Sequence, residues 1–178
     1  SAFYEAGGKL LNEDYFPNQS NFSTTTVLIE LGVKKLTINK FGDIVNTSEL
    51  LNSYRPYGNK TPTDNEIKEI FMPLWSYANA LISSQKPDES NVKPIDFALT
   101  SFDKMTSIGD LYRAPTSIKN SKLGKLLQLE SDGENFYGVK LAHDKLSEFD
   151  ALYDFVKPFS LYTLVSYLEE RVEANNPI

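Results

Sequence analysis

The chain has 178 residues, with 18 basic and 24 acidic side chains, one histidine, one tryptophan and no cysteine. Those counts exclude a disulfide scaffold, a thiolate zinc site, a cysteine nucleophile and any mechanism that needs two histidines in one chain, the H-E-x-x-H metalloprotease pattern included. A net charge of −6 with 40% hydrophobic residues describes an acidic globular chain with enough apolar surface for one core, and such a surface disfavours nucleic-acid wrapping and anionic membranes.

Residues 1–22 mix aromatics with Gly7-Gly8, Pro17 and several asparagines. They read as an irregular, aromatic N-terminal arm with one helical turn near Lys9–Asp14. Phe3, Tyr4, Tyr15, Phe16 and Phe22 would pin the arm to a single domain spanning 23–178. No basic segment followed by an apolar run opens the chain, and no uncharged apolar run approaches ~18 residues. A cytoplasmic protein without a membrane anchor is expected. The sequons at Asn18, Asn21, Asn46 and Asn59 are read as chance in an asparagine-rich sequence.

Thr24 to Leu31 is β-branched and alternates Val27, Ile29 and Leu31 on one face, which predicts a strand. Gly32-Val33 suits a tight hairpin to a second strand over Lys34–Ile38. Phe41-Gly42-Asp43 reads as another turn. Residues 47–54 form a short helix capped by Thr47 or Ser48. Arg55 to Pro62 is a loop punctuated by Pro56, Gly58, Asn59 and Pro62.

Thr63-Asp64-Asn65-Glu66 is a capping box. Ile67, Ile70, Phe71, Leu74, Trp75, Ala78, Leu81 and Ile82 follow at helical spacing, with a kink or break expected at Pro73. The polar stretch 83–94 is a linker and the place for any subdomain boundary. Ile95, Phe97 and Leu99 alternate as a strand. Leu123–Glu130 and Asn135–Leu141 flank Asp132-Gly133 as a second hairpin. Leu146, Phe149, Tyr153 and Val156 form one helical stripe. Leu161, Leu164, Val165, Leu168 and Val172 form another, in a helix from about Phe159 to Glu173. The fold expected is α+β: an antiparallel sheet of four to five strands, including two hairpins, packed on the proline-kinked helix and a C-terminal helical pair.

His143, between Ala142 and Asp144, is the only imidazole available as a general base, but no nucleophile motif accompanies it. A histidine beside a helix start accounts for it equally well. The pairs Asp144/Glu148 and Asp150/Asp154 share helix faces, which also suits the positive pole of a helix dipole. No catalytic residue, metal site or cofactor is expected. Arg113 to Lys125 carries Arg113, Lys119, Lys122 and Lys125 without one acid, the best anion-binding stretch in the chain. Tyr54-Arg55-Pro56-Tyr57 and Tyr112-Arg113 pair the residue types that dominate interface hot spots. Glu169, Glu170 and Glu173 lie opposite the last apolar stripe, a solvated face that also suits a cationic partner.

These features point to a non-enzymatic, protein-binding module of the inhibitor, immunity or adaptor type. Two alternatives stand beside it. One is a structural or accessory subunit of a virus particle or secretion assembly, docking through the aromatic arm. The other is a carboxylate- or histidine-based enzyme acting on an anionic substrate.

Overall fold

A computed structural model describes residues 3–6, 9–12, 34–88, 92, 95–113, 121–122 and 139–173. The predicted strand 24–31, the Gly32-Val33 turn and the Asp132-Gly133 hairpin lie outside them. Mixed helix and strand is the outcome, and among the described residues the strands lie in three small sheets rather than in one.

The first sheet corrects the reading of the arm. Strands β1 (Phe3–Ala6) and β2 (Lys9–Asn12) pair antiparallel, with Ala6 opposite Lys9. Only Gly7 and Gly8 separate them, and a glycine pair is one of the dipeptides that close a two-residue hairpin. Where a helical turn is expected near Lys9–Asp14, the described part, Lys9–Asn12, is a strand instead. β1 also pairs antiparallel with β3 (Lys34–Lys35).

β3 is shorter than predicted because Thr37 starts a helix. Its Oγ1 accepts the Lys40 amide at 3.2 Å, and α1 runs Ile38–Asn46. Ile38, Phe41, Gly42 and Val45 are its buried positions, a helical spacing that the turn reading of Phe41-Gly42-Asp43 overlooked. Phe41 packs edge-on against Phe97 at 6.0 Å. A 3-10 turn follows over Glu49–Tyr54, capped by Ser48 as expected.

The capping box forms: Thr63 Oγ1 accepts the Glu66 amide at 3.3 Å, and Glu66 Oε2 accepts the Thr63 amide at 2.9 Å. After α2 (Asp64–Glu66) the chain makes a π turn over Ile67–Phe71, where the Met72 amide donates to Ile67, and then α3 (Met72–Gln85). Regular α geometry is thus interrupted immediately before Pro73. That residue has no amide to donate, and its ring needs room beside the preceding turn. Gln85 ends α3 by bridging back to the entrance of α1: its Nε2 donates to the Leu36 carbonyl at 2.6 Å, and its Oε1 accepts the Ile38 amide at 3.2 Å.

β4 (Ala98–Leu99) and β5 (Met105–Thr106) form a short antiparallel pair. Alternation fails here because Phe97 through Thr100 are all buried. β6 (Tyr112–Arg113) pairs in parallel with β7 (Lys157–Pro158), and Tyr112 also makes a parallel bridge to Leu141. An all-antiparallel sheet was predicted from tight turns alone; segments distant in sequence carry no such restriction. Between them, the predicted stripe from Leu146 to Val156 divides into a 3-10 turn at Asp144–Glu148 and a short α4 (Asp150–Tyr153). α5 (Leu161–Glu173) closes the described chain.

The main core joins Phe41, Leu51, Phe71, Trp75, Phe97 and Leu152 with their neighbours. Trp75 is fully buried at its centre, its indole N–H donating to the Phe97 carbonyl at 2.9 Å. A smaller cluster of Val139, Leu141, Phe159 and Tyr167 seats α5.

Candidate functional site

The loop that follows the Glu49–Tyr54 turn is built by backbone and charge. Tyr54 is buried, edge-on to Phe71 with centroids 5.3 Å apart. Lys60 lies 4.9 Å from its ring centroid, and the Lys60 Nζ donates to the phenol at 3.4 Å. Lys60 also pairs with Glu66. Burial first, then the hydrogen bond with Glu66, raise the Tyr54 phenol above its ordinary value. Glu66 raises Lys60 in turn. The Lys60 hydrogen bond, then the Thr63 amide, lower the Glu66 carboxyl to about 2.

Arg55 faces the other way. Its guanidinium donates to Asn52 Oδ1 at 3.3 Å and to the carbonyl of Asn46, the last residue of α1. A cation there suits the negative end of the helix and satisfies one of its orphan carbonyls. The turn itself is closed by Gly58 N–H to Arg55 O at 2.8 Å and Lys60 N–H to Ser53 O at 3.0 Å. A Cβ on Gly58 would stand 2.4 Å from the carbonyl oxygens of Asn52 and Ser53, so only glycine fits. Asn59 takes the left-handed conformation, with φ of 52°.

What this brace holds up is Tyr57, whose side chain is fully exposed at the tip, with Leu50 57% exposed on the preceding turn. Of the three predicted residues in this half of the site, Tyr57 faces solvent while Tyr54 and Arg55 fasten the loop beneath it.

The second predicted pair is placed on β6. Arg113 lies over the Tyr153 ring at 5.7 Å and 3.7 Å from Asp154. Lys157, opposite Tyr112 on β7, lies over the Tyr112 ring at 5.4 Å. Lys122 is exposed. Lys119 and Lys125 lie outside the described residues. Among those described, no hydrogen bond, ion pair or ring contact joins the Tyr112-Arg113 pair to the Tyr54–Tyr57 loop.

A contact the sequence reading did not foresee ties His143 to Asp103. Imidazole Nε2 is 3.2 Å from Asp103 Oδ1, and Nδ1 accepts the Lys145 amide at 3.1 Å. An Nδ1 that accepts leaves the proton on Nε2 in the neutral ring. Both nitrogens are therefore engaged, and no lone pair is free to take a substrate proton. The ring also rests against Trp75, centroids 6.0 Å apart. Asp103 holds a left-handed φ of 61° in the β4–β5 turn. Burial raises its carboxyl, His143 opposes that, and Asp64 adds to it. Of the acid pairs, Glu148 is bound to Lys145 at 2.9 Å and Asp154 faces Arg113. Among the described residues no cluster of His, Asp and Glu is arranged to hold a metal ion, and no helix is long and apolar enough to cross a membrane.

No protein-family model, curated protein or solved structure matches this chain.

Proposed function

We propose that the chain is a protein-recognition module of the inhibitor, immunity or adaptor kind, with Tyr57 as its aromatic anchor. The supporting observation is the contrast within one loop: Tyr57 is fully exposed, while Tyr54, Arg55, Gly58 and Lys60 hold its backbone by hydrogen bonds on both sides. An aromatic presented on a braced turn has a backbone that is already ordered, so less freedom is lost when a partner buries it, which is how preorganised interfaces gain affinity. Tyrosine is among the residue types enriched at interface hot spots. The engaged nitrogens of His143 favour this reading over an imidazole-based enzyme.

The test is affinity capture from the native source with the wild-type chain and Tyr57→Ala side by side, followed by titration of the captured protein. A partner that binds tighter than roughly micromolar, and loses about thirtyfold or more on Tyr57→Ala, supports the assignment. Binding indifferent to Tyr57, or no partner of that strength, overturns it.

A further inference from the structure

Of the five large apolar side chains exposed among the described residues, three lie on α5: Tyr162 at 80%, Val165 at 42% and Val172 at 76%. The predicted stripe put Val165 and Val172 on the buried side. Instead Leu164, Tyr167 and Leu168 make the seat on the small cluster, and the valines turn outward. Residues 162, 165 and 172 are three and seven apart, so they share one face, and Glu169 falls on the same line. Glu170 and Glu173 flank it, and all three glutamates are exposed.

The acids sit where a helix least favours them. They crowd the carboxyl-terminal end, the negative pole of the dipole. Glu169 and Glu173 are four apart and Glu170 and Glu173 three apart, spacings at which like charges repel. Among the described residues, none of the three makes an ion pair or a side-chain hydrogen bond. Burial of the inner face requires neither the apolar outer residues nor this charge. Local rules broken without compensation among the described residues are expected where a surface serves something outside the fold.

We propose that the outward face of α5 docks a cationic amphipathic segment of a partner protein. Its apolar side chains cover Tyr162, Val165 and Val172, and its lysines or arginines meet Glu169, Glu170 and Glu173. A second copy of this chain is a poor occupant, because each copy carries a net charge of −6 and supplies no net positive charge to meet these carboxylates. An anionic lipid surface is repelled for the same reason.

The probe is a synthetic amphipathic helix of about fourteen residues, with leucines at helical spacing and lysines between them. Its control has glutamates in place of the lysines. Both are titrated against the full chain by fluorescence anisotropy at physiological salt. Saturable binding of the lysine peptide below about 100 µM is expected, with none of the glutamate peptide. The double variant Glu169→Lys/Glu173→Lys, and separately Tyr162→Ser/Val172→Ser, should each weaken it roughly tenfold or more. Glu49→Lys, an equal change of charge elsewhere, should leave it within about twofold. Circular dichroism checks that each variant is folded. Equal weakening by Glu49→Lys, indifference to the α5 variants, binding of the glutamate peptide, or a dimer of the chain alone that the α5 variants dissolve would each overturn the proposal. Tyr57→Ala is expected to leave peptide binding unchanged, so failure here does not touch the Tyr57 assignment.

Discussion

His143 Nε2 lies 3.2 Å from Asp103 Oδ1, and this contact fastens the start of the Asp144–Glu148 turn to the β4–β5 turn. Burial is the largest influence on Asp103 and raises its pKa. The folded chain thus holds the Asp103 proton at a pH where the unfolded chain has released it. Ionisation of this carboxyl therefore opposes folding: the penalty is absent below the ordinary value of 3.8 and grows as pH rises through the raised one. Asp103→Asn keeps an acceptor for the imidazole and removes the charge. Chemical denaturation at pH 3 and pH 7.5 should show the variant gaining on the wild type as pH rises. The opposite slope would refute the account.

Glu66 carries the reverse sign. Its carboxyl is lowered to about 2 by Lys60 and the Thr63 amide. Its contribution is present above the ordinary value of 4.5 and is lost as pH falls through about 2. Melting temperatures of wild type and Glu66→Gln should therefore converge on acidification across that window. A constant difference would mean that the ion pair and the charged cap do not act as described.

Gly58 and Tyr57 separate folding from recognition. Gly58→Ala drives a methyl into two backbone carbonyls and should destabilise by about 1–3 kcal/mol, the range for forced overpacking. Tyr57→Ala removes a side chain that is fully exposed and should stay within about 0.5 kcal/mol of wild type. Urea titration of both variants checks this. A stability loss at Tyr57 would show that the tyrosine belongs to the fold.

The single tryptophan and the single histidine touch. The imidazole lies against the indole, so His143→Gln should alter Trp75 emission, measured by fluorescence at a fixed pH. Trp75→Ala should destabilise by about 3–5 kcal/mol through the cavity left behind, and it also strands the Phe97 carbonyl.

What could be read in the sequence was local. The capping box at Thr63–Glu66, the Ser48-capped turn and the interruption at Pro73 each rest on residues within one or two turns of each other. Two local signals were outweighed by competing ones. Gly7-Gly8 was lost among aromatics and asparagines, and Gly42 hid α1 because glycine in a helix costs about 1 kcal/mol and so reads as a turn. α5 was placed correctly, but Leu, Val and Tyr are all apolar, and hydrophobicity alone does not say which of them face a small cluster. Non-local features were not legible: Asp103 meets His143, and β6 meets β7, through packing that no spacing rule encodes. In the candidate site Tyr57 was legible as a loop aromatic. The anchoring work of Tyr54 and Arg55 needed the positions of Phe71 and Asn46.

The parallel pairing of Tyr112 with Leu141 on one side and Lys157 on the other governs the order of assembly. No hairpin can form it, and each bond must close a long stretch of chain before it returns anything, so this region should be the slow step in folding. During synthesis the first half can settle around Trp75 while the Tyr112 segment still has exposed edges. It finds its second neighbour only after Pro158 has left the ribosome. In that interval the unpaired edges are the ones most open to wrong partners, and a protein halted upstream of Pro158 would retain that exposure.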